Sequence, residues 1–349
     1  MAILNVQCAI IGSPSGLDLY KWVKGQSPFH NCELRIVNCE FFVIKKGAKT
    51  LNTSKTAFIA IVGCPNAGKS TILNRLLGQK IAIVSPKPQT TRTRIMGVLT
   101  KDNTQLVFTD TPGYHKPKTK LGQNMVKAVE NSIGDVDACL LVVEPKGDIR
   151  PAEEELINRF IKEKIPAVLA INKIDTIPDK RELMERIMMF SQMYNFEAIV
   201  PVSAVDGNGM DELLDELMAL AFESEHFFPD DTLTDQPEKV IASEMIREKL
   251  LRLIDKEIPH GTAVAIERFR EREDGEIIDI EATIYCERES HKGIIIGKNG
   301  AMLKKVSTRA RIELEKFLGC KVNLKCWVKV KEDWRNREGL IHNFGLDTQ

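Results

Sequence analysis

Apolar runs recur through the first two thirds of the chain, among them Phe58-Ile59-Ala60-Ile61-Val62, Leu106-Val107-Phe108 before Thr109, Ala167-Val168-Leu169-Ala170-Ile171 and Ala198-Ile199-Val200-Pro201-Val202. None alternates with polar residues, so each reads as a strand buried on both faces, as in a parallel sheet covered by helices. Between them lie helical stretches such as Thr71-Ile72-Leu73-Asn74-Arg75-Leu76-Leu77. This predicts a doubly wound, mostly parallel α/β domain over residues 55–225.

The last third has a different rhythm. A helix is expected over residues 238–256. Strands are expected at 263–269 and 276–288, with a turn at Asp274-Gly275 between them. A short helical turn follows, and then a helix over 301–317 whose apolar face is Leu303, Val306, Ala310, Leu314 and Phe317. A final strand is expected at 321–330. The order α-β-β-α-α-β predicts a separate α+β domain over residues 238–335. Residues 226–237, with prolines and acids, read as a linker that lets the domains reorient, and 336–349 as a C-terminal tail.

Chemistry enters at the end of the first strand. Residues 63–70 read Gly63-Cys64-Pro65-Asn66-Ala67-Gly68-Lys69-Ser70, the phosphate-loop pattern G-x-x-x-x-G-K-[ST], followed by Thr71. The glycines let backbone N–H groups curl inward toward phosphate oxygens, and the following helix start favours an anion. Lys69 is expected to reach the β- and γ-phosphates and Ser70 to ligate Mg²⁺. A chance glycine-rich turn would lack the flanking strand and helix.

The strand at 167–171 delivers Asn172-Lys173-Ile174-Asp175 at its C-terminal end, where such sheets bind ligands. A carboxylate at Asp175 accepts from guanine N1–H and the exocyclic amine, a donor pair adenine lacks, so ATP would leave it unpaired. Asn172 is expected to hold the loop and touch the base, with the Lys173 stem on the purine face. Ser203 and Ala204, after the next strand, are expected to offer backbone amides to the guanine O6. Asn-Lys-x-Asp alone is a weak tetrapeptide, but after a phosphate loop and at a strand end it indicates GTP and argues against a kinase or ATPase.

Two switch elements lie between. Asp110-Thr111-Pro112-Gly113 follows the strand at 106–109. Asp110 is expected to hold the Mg²⁺ shell through water and the Gly113 amide to sense the γ-phosphate. In Gln89-Thr90-Thr91-Arg92-Thr93-Arg94, a threonine hydroxyl would complete the shell only while the γ-phosphate is present. Thr91 is preferred to Thr90, although both also fit as plain polar loop residues. Lys69, Thr91, Asp110 and Gly113 form the expected catalytic set. Where Ras-like enzymes carry the water-orienting Gln, this chain has Tyr114, so unassisted hydrolysis should be slow, on the order of 10⁻⁴ to 10⁻² s⁻¹. Asn66 is a candidate ligand for K⁺ beside the phosphates.

Charge then singles out the second domain. The chain balances 49 Lys/Arg against 49 Asp/Glu, yet residues 291–337 hold thirteen basic residues and four acidic ones. Such a local excess is the footprint of a polyanion partner. Inside it, Gly293-Ile294-Ile295-Ile296 leads into Gly297-Lys298-Asn299-Gly300. A Gly-x-x-Gly loop between two helices is the clamp of a KH domain, which closes on about four nucleotides of single-stranded RNA. Gly293, Ile296, Gly297, Lys298, Asn299, Gly300 and Lys304 are the expected RNA-binding residues. Gly-x-x-Gly alone is weak; a structural α+β domain with a solvated lysine face is the plain alternative.

Together the phosphate loop, Gln89–Arg94 segment, Asp110-Thr111-Pro112-Gly113, Asn172-Lys173-Ile174-Asp175, Ser203-Ala204 and Gly-x-x-Gly resemble the Era GTPase family. The stretches around Phe227-Phe228-Pro229, Ala242-Ser243-Glu244 and Trp327-Val328-Lys329-Val330-Lys331 add to it, and the likeness spans residues 55–345. The resemblance implies a P-loop GTPase domain followed by a type II KH domain, with GTP/GDP and Mg²⁺ as ligands. It implies a monomeric cytoplasmic factor in 30S ribosomal subunit assembly that binds the 3′ region of small-subunit rRNA and is found partly at the inner membrane face. It also implies a hydrophobic replacement of the catalytic Gln, which Tyr114 fits. The double-G-domain ribosome GTPases are a related alternative, but this chain has one phosphate loop. A second functional class stays open, an RNA-binding or RNA-chaperone module for which GTP is mainly a sensing ligand.

The remaining composition changes little. With 349 residues and 43% hydrophobic content, two packed domains are feasible. No stretch is long and apolar enough for a membrane helix. The eight cysteines form no Cys-x-x-Cys, so zinc is not expected, and they suit a reducing compartment. Met184, Met188, Met189 and Met193 read as a helix's core face, Glu153-Glu154-Glu155 as a solvated first helical turn, and His291 as exposed or RNA-facing. Residues 1–54 fit neither domain: Gly12-Ser13-Pro14-Ser15-Gly16 lacks the Lys-Ser, no basic residue precedes the first apolar run, and only Arg35 is an arginine before residue 56. With no methionine between Met1 and Met96, one expectation is translation from a non-AUG codon near Leu51; a genuine extension or an organellar presequence are the rivals.

Overall fold

The computed structural model describes residues 53–346 apart from 115, 116, 118, 179, 256, 257 and 274; they fall in one compact unit. The expectations for residues 1–52 lie outside the described residues.

In the first domain, strands β1 (Lys55–Val62), β2 (Ile95–Lys101), β3 (Thr104–Asp110), β4 (Ala138–Val143), β5 (Ala167–Asn172), β6 (Ala198–Val202) and β7 (Phe222–Glu223) build one sheet. Its order is β2-β3-β1-β4-β5-β6, with β7 pairing antiparallel to the start of β1. The four central pairings are parallel and β2 is antiparallel to β3. Side chains alternate between two cores, as strand geometry requires. Ala57, Ile59 and Ile61 of β1 face helices α1 (Lys69–Leu77) and α5 (Met210–Ala219). Ala60 and Val62 face α2 (Lys120–Gly134), α3 (Pro151–Glu163) and α4 (Lys180–Met193). Both faces are covered, so the apolar runs are unbroken.

One expectation about the helices holds only in part and one fails. The buried face of α4 is Arg186 and Phe190 with half-buried Leu183, Ile187 and Met193 packed on the core and Met189 half-buried, while Met184 and Met188 are each 56% exposed. Glu153 is fully buried: its Oε2 accepts from Arg150 N (3.0 Å) and Arg186 Nη2 (2.9 Å), while Glu154 and Glu155 stay exposed. A buried arginine on α4 draws in one acid of the triplet, because neither charge is tolerated there without the other.

In the second domain, β8 (Ala263–Glu271) and β9 (Ile277–Cys286) are antiparallel with a bulge between Ile266 and Arg268, and β10 (Lys321–Val330) lies parallel to β9. Helices α6 (Glu238–Leu253), α7 (Glu289–Ile296) and α8 (Ala301–Leu318) pack their apolar side chains on this sheet, with Val306, Ala310 and Leu314 buried as expected. Helix α6 ends three residues early, at Leu253, where Ile254 turns extended and its N–H bonds Leu250 O.

The segment 226–237 is not a loose tether. Gln105 Oε1 accepts from Phe227 N (2.9 Å) and Phe228 N (3.0 Å), Val98 N donates to Leu233 O (2.9 Å), and Thr234 Oγ1 donates to Met96 O (2.6 Å). The linker is thus fastened along the β2–β3 hairpin. The C-terminal segment is structured too. Trp334, with Ile341 and Leu346 in and after α9 (Glu338–Asn343), packs against Leu121 and Met125 of α2 and Ala263 of β8, in an apolar cluster shared by both domains.

Candidate functional sites

The phosphate loop joins β1 to α1 through backbone that only glycine tolerates at two points. Gly63 has φ +145°, and a Cβ there would meet Val142 O at 2.2 Å; Gly68 has φ +102°, and a Cβ would meet Asn172 Nδ2 at 2.1 Å. The loop borders a cavity of about 400 Å³ whose wall includes Asn66, Ser70, Thr71, Thr91, Gly113, Asn172 and Lys173. Lys69 is buried and donates to Gly63 O (3.0 Å) and Cys64 O (3.1 Å); burial lowers its pKa, with Asp110 opposing. Reaching a phosphate means exchanging those carbonyls for it.

Three oxygens converge at the mouth of the loop. Ser70 Oγ lies 2.9 Å from Thr91 Oγ1 and donates to Asp110 Oδ2 at 2.6 Å; Thr91 Oγ1 lies 3.5 Å from that oxygen. Asp110 Oδ1 is buried without a hydrogen-bond partner. Burial pushes the Asp110 carboxyl up to about 6, against the pull of Lys69, Ser70 and Thr91. A buried carboxylate with one orphaned oxygen beside two hydroxyls is a donor set suited to a hard divalent cation such as Mg²⁺, directly or through water. Thr90 points elsewhere, its Oγ1 donating to Lys87 O (2.7 Å).

The second switch element is drawn in tightly. Thr111 Oγ1 donates to Ile61 O (2.8 Å), and a Cβ at Gly113 would sit 2.6 Å from Pro65 Cα, so any larger residue would push it off the phosphate loop. Pro112 is buried between them. Tyr114 N donates to Gly63 O (3.2 Å), while its ring packs into the α2–α3 core. Burial and the carboxylates of Glu155 and Glu130 push its phenol up to about 12, so Tyr114 is neither a base nor a water-orienting amide.

At the end of β5, Asn172 acts as a fastener. Its Nδ2 donates to Ala67 O (2.9 Å), and its Oδ1 accepts from Ala204 N (3.1 Å). Ser203 N donates to Asn208 O (2.9 Å), so both amides expected to read guanine O6 are already engaged; a base oxygen has to share or displace these contacts. Ser203 Oγ donates to Asp175 Oδ1 (2.7 Å), and Asp175 is exposed, open to a base edge that would bury it. Lys173, at φ +68°, pairs with Glu144 Oε1 at 2.6 Å, and Arg150 pairs with Glu144 from the other side. Burial works against the Glu144 carboxylate, but these two bonds outweigh it and hold its pKa below the usual range. Glu144 and Arg150 carry no sequence signal: each is one charged residue after an apolar strand.

In the second domain Gly297 (φ +74°, ψ 174°), Asn299 (φ +52°) and Gly300 (φ +78°) make the sharp turn between α7 and α8. A Cβ at Gly297 would meet Met302 Cβ at 2.7 Å, whereas Gly300 has nothing within 4 Å. Gly293, Lys298, Asn299 and Lys304 are exposed, Ile296 is half-buried, and Ile294 is 49% exposed beside them. Gly300 N donates to Gly297 O (3.1 Å) and Ala301 N to Lys298 O, so the loop closes on itself at the start of the 18-residue α8, whose positive dipole end still faces the loop and favours phosphate. His291 is half-buried, with Nδ1 buried and unpartnered. Among the described residues there is no metal-holding His/Cys/Asp/Glu group and no helix long and apolar enough to cross a membrane.

The fold and these sites define a phosphate-loop GTPase joined to a KH domain. A family described as "50S ribosome-binding GTPase" matches residues 58–173, and the KH-domain family matches residues 257–335. The GTPase Era of Clostridioides difficile (strain 630) is 49% identical over 293 residues, 84% of this chain and 99% of its own length. That of Thermoanaerobacter sp. (strain X514) is 47% identical over 83% of this chain and 96% of its own length. The crystal structure of a point variant of Aquifex aeolicus Era bound to GDP·AlF4⁻ superposes with a TM-score of 0.80 at 39% identity, covering 84% of this chain and 99% of the other. A structure of Era with MgGDPNP and nucleotides 1506–1542 of 16S ribosomal RNA gives 0.79 at 40% identity over the same shares. The chain belongs to the GTPase Era family.

Proposed function

We propose that this chain is a slow GTP-hydrolysing switch that binds the 3′ region of small-subunit rRNA through its KH domain and acts in assembly of the 30S subunit. The observation that carries the reading is the convergence of Ser70, Thr91 and the half-orphaned Asp110 beside the phosphate loop. Ser70 and Thr91 would hold Mg²⁺ directly and Asp110 through water; bound there, Mg²⁺ would neutralise charge on the β- and γ-phosphates. Lys69 and the backbone N–H groups of residues 66–71 cradle those phosphates, and the Gly113 amide senses the γ-phosphate. Asp175 selects guanine, Asn172 ties the base loop to the phosphate loop, and Lys173 lies along the purine. Thr111 and Pro112 set the height of Gly113. Tyr114 supplies no general base, so water is oriented by backbone, by Thr91 and by a partner. Water adds to the γ-phosphorus, the bond to the β–γ bridging oxygen breaks, and GDP and phosphate leave.

Gly297 and Gly300 allow an RNA backbone to close on the loop, Lys298, Asn299 and Lys304 meet its phosphates, and Gly293, Ile294 and Ile296 line the groove for bases. Support comes from the loop geometry and from the related Era structure that holds MgGDPNP with nucleotides 1506–1542 of 16S rRNA. We place the chain in the cytoplasm as a monomer, with peripheral contact at the inner membrane face, and assign a K⁺ ligand role to Asn66.

The test is single-turnover GTP hydrolysis by the full chain with and without RNA of nucleotides 1506–1542, run in K⁺ and in Na⁺. RNA should accelerate the reaction, and replacing Gly297 and Gly300 by Asp should abolish the acceleration while leaving the RNA-free rate unchanged. Tight RNA binding with no change in rate would favour the sensing-module reading instead. Equal rates in the two salts would remove the K⁺ assignment.

A further inference from the structure

Residues 80–92, between α1 and β2, are held by the KH domain at both ends. Near the start, Lys80 pairs with fully buried Glu248 of α6 at 2.7 Å and with Glu313 of α8. Val84 N donates to Glu248 Oε1 (2.9 Å), Val84 O accepts from Arg252 Nη2 (2.7 Å), and Lys87 Nζ donates to Ile254 O. At the far end Arg247 of α6 donates to Thr90 O. Arg92, 5% exposed, sends Nη1 to Thr262 O (2.6 Å) and Nη2 to His260 O (2.8 Å), with its guanidinium 5.6 Å from the centre of the Trp334 ring. Trp334 Nε1 in turn donates to Gly261 O (2.9 Å), so the turn that Arg92 grips is itself locked to the end of the KH domain.

Three consecutive residues therefore face two ways. Thr90 O and the Arg92 side chain bind the KH domain, while Thr91 between them reaches Ser70 and Asp110. Thr91 is thus bracketed, the carbonyl of the residue before it held by Arg247 of α6 and the side chain of the residue after it held by the turn at 258–262, so a shift of the KH domain pulls on both flanks of Thr91.

We propose that Arg92 is a positioning residue of the hydrolytic centre: through its two bonds to the turn at residues 258–262, the placement of the KH domain sets whether Thr91 can hold the Mg²⁺ shell. This rests on the switch reading above. Arg92 touches neither nucleotide nor metal; it acts through its neighbour. A planar guanidinium spans two carbonyls at once, which an ammonium cannot.

The test compares full-length wild type, Arg92→Lys and Arg92→Ala in four measurements: GDP affinity, single-turnover hydrolysis against Mg²⁺ concentration, its response to RNA of nucleotides 1506–1542, and RNA affinity. Thr91 is needed for GTP and not for GDP, so GDP affinity and nucleotide-free RNA affinity should stay within about twofold of wild type. Arg92→Ala should hydrolyse at least about tenfold more slowly, as loss of charged hydrogen bonds predicts. It should also need more Mg²⁺ and lose the RNA response, with Arg92→Lys in between because it restores one bond. Wild-type hydrolysis and RNA response in Arg92→Ala would overturn the proposal, as would a parallel loss of GDP and GTP binding together with thermal stability, which marks simple interdomain packing. If Arg92→Ala does not fold, Arg92→Lys and Arg92→Gln carry the same comparison. A wild type that ignores RNA sinks the switch reading, and the Mg²⁺ dependence then still decides the role of Arg92.

Discussion

Arg186 is 2% exposed on α4, and its Nη2 donates to the fully buried Glu153 at 2.9 Å while its guanidinium lies 4.5 Å from the Phe190 ring. Nη1 also donates to Gly147 O (2.9 Å), so one side chain ties α4, α3 and the loop after β4 together beneath the guanine end of the site. Removing one member of a buried pair strands the other: Arg186→Met should lower unfolding stability by about 3–5 kcal/mol, and adding Glu153→Leu should recover part of it. Urea midpoints of the two variants check this; equal loss in both would show that the pair is not the cause. Neither role was legible in sequence. Glu153 looks like its neighbours Glu154 and Glu155, and only the distant Arg186 distinguishes it. The phosphate loop was legible residue by residue because its chemistry dictates glycine, lysine and serine at fixed spacing. The engaged amides of Ser203 and Ala204 were not, since Asn208 and Asn172 meet them only through the fold.

At the scale of elements, the strands expected at 58–62, 106–109, 167–171 and 198–202 and the order of the second domain followed from apolar periodicity, whereas the misjudged segments, residues 226–237 and the C-terminal tail, are held by partners far away in sequence. Helix α6 formed where expected, but its burial was not legible: Arg247, Glu248 and Lys249 are buried alongside Ile246 and Leu250, because one face meets the KH core and the other meets residues 80–92. Residues 226–237 looked like a flexible linker from prolines and acids, yet they run bonded along the β2–β3 hairpin. His226 closes this clamp, with Nδ1 2.6 Å from Asp230 Oδ1 and Nε2 3.1 Å from Asn103 O. The Asp230 bond and then the Asn103 carbonyl raise the His226 pKa above its usual 6.5. A raised pKa means the contribution is full below about 6.5 and is lost as pH rises through the higher folded value. Amide exchange at Phe227 and Phe228 should therefore quicken with pH over that window beyond the intrinsic trend, and His226→Ala should remove the excess. An identical pH profile in wild type and variant would contradict the clamp.

For the molecule as a whole, the two domains share an apolar cluster around Trp334, an ion cluster around Glu248, and residues 80–92 threaded between them. The sequence announced a GTPase domain and a KH domain; it could not announce their joint, which is built from single charged residues such as Arg92, Arg247 and Glu248 with no motif of their own. If that joint couples the sites, thermodynamic linkage requires the effect to run both ways. The most direct measurement is the affinity of the full chain for RNA of nucleotides 1506–1542 when loaded with GDP and when loaded with MgGDPNP. The account predicts tighter binding with MgGDPNP by roughly 5-fold or more, the usual scale of such coupling. Equal affinities in the two loaded forms would contradict it.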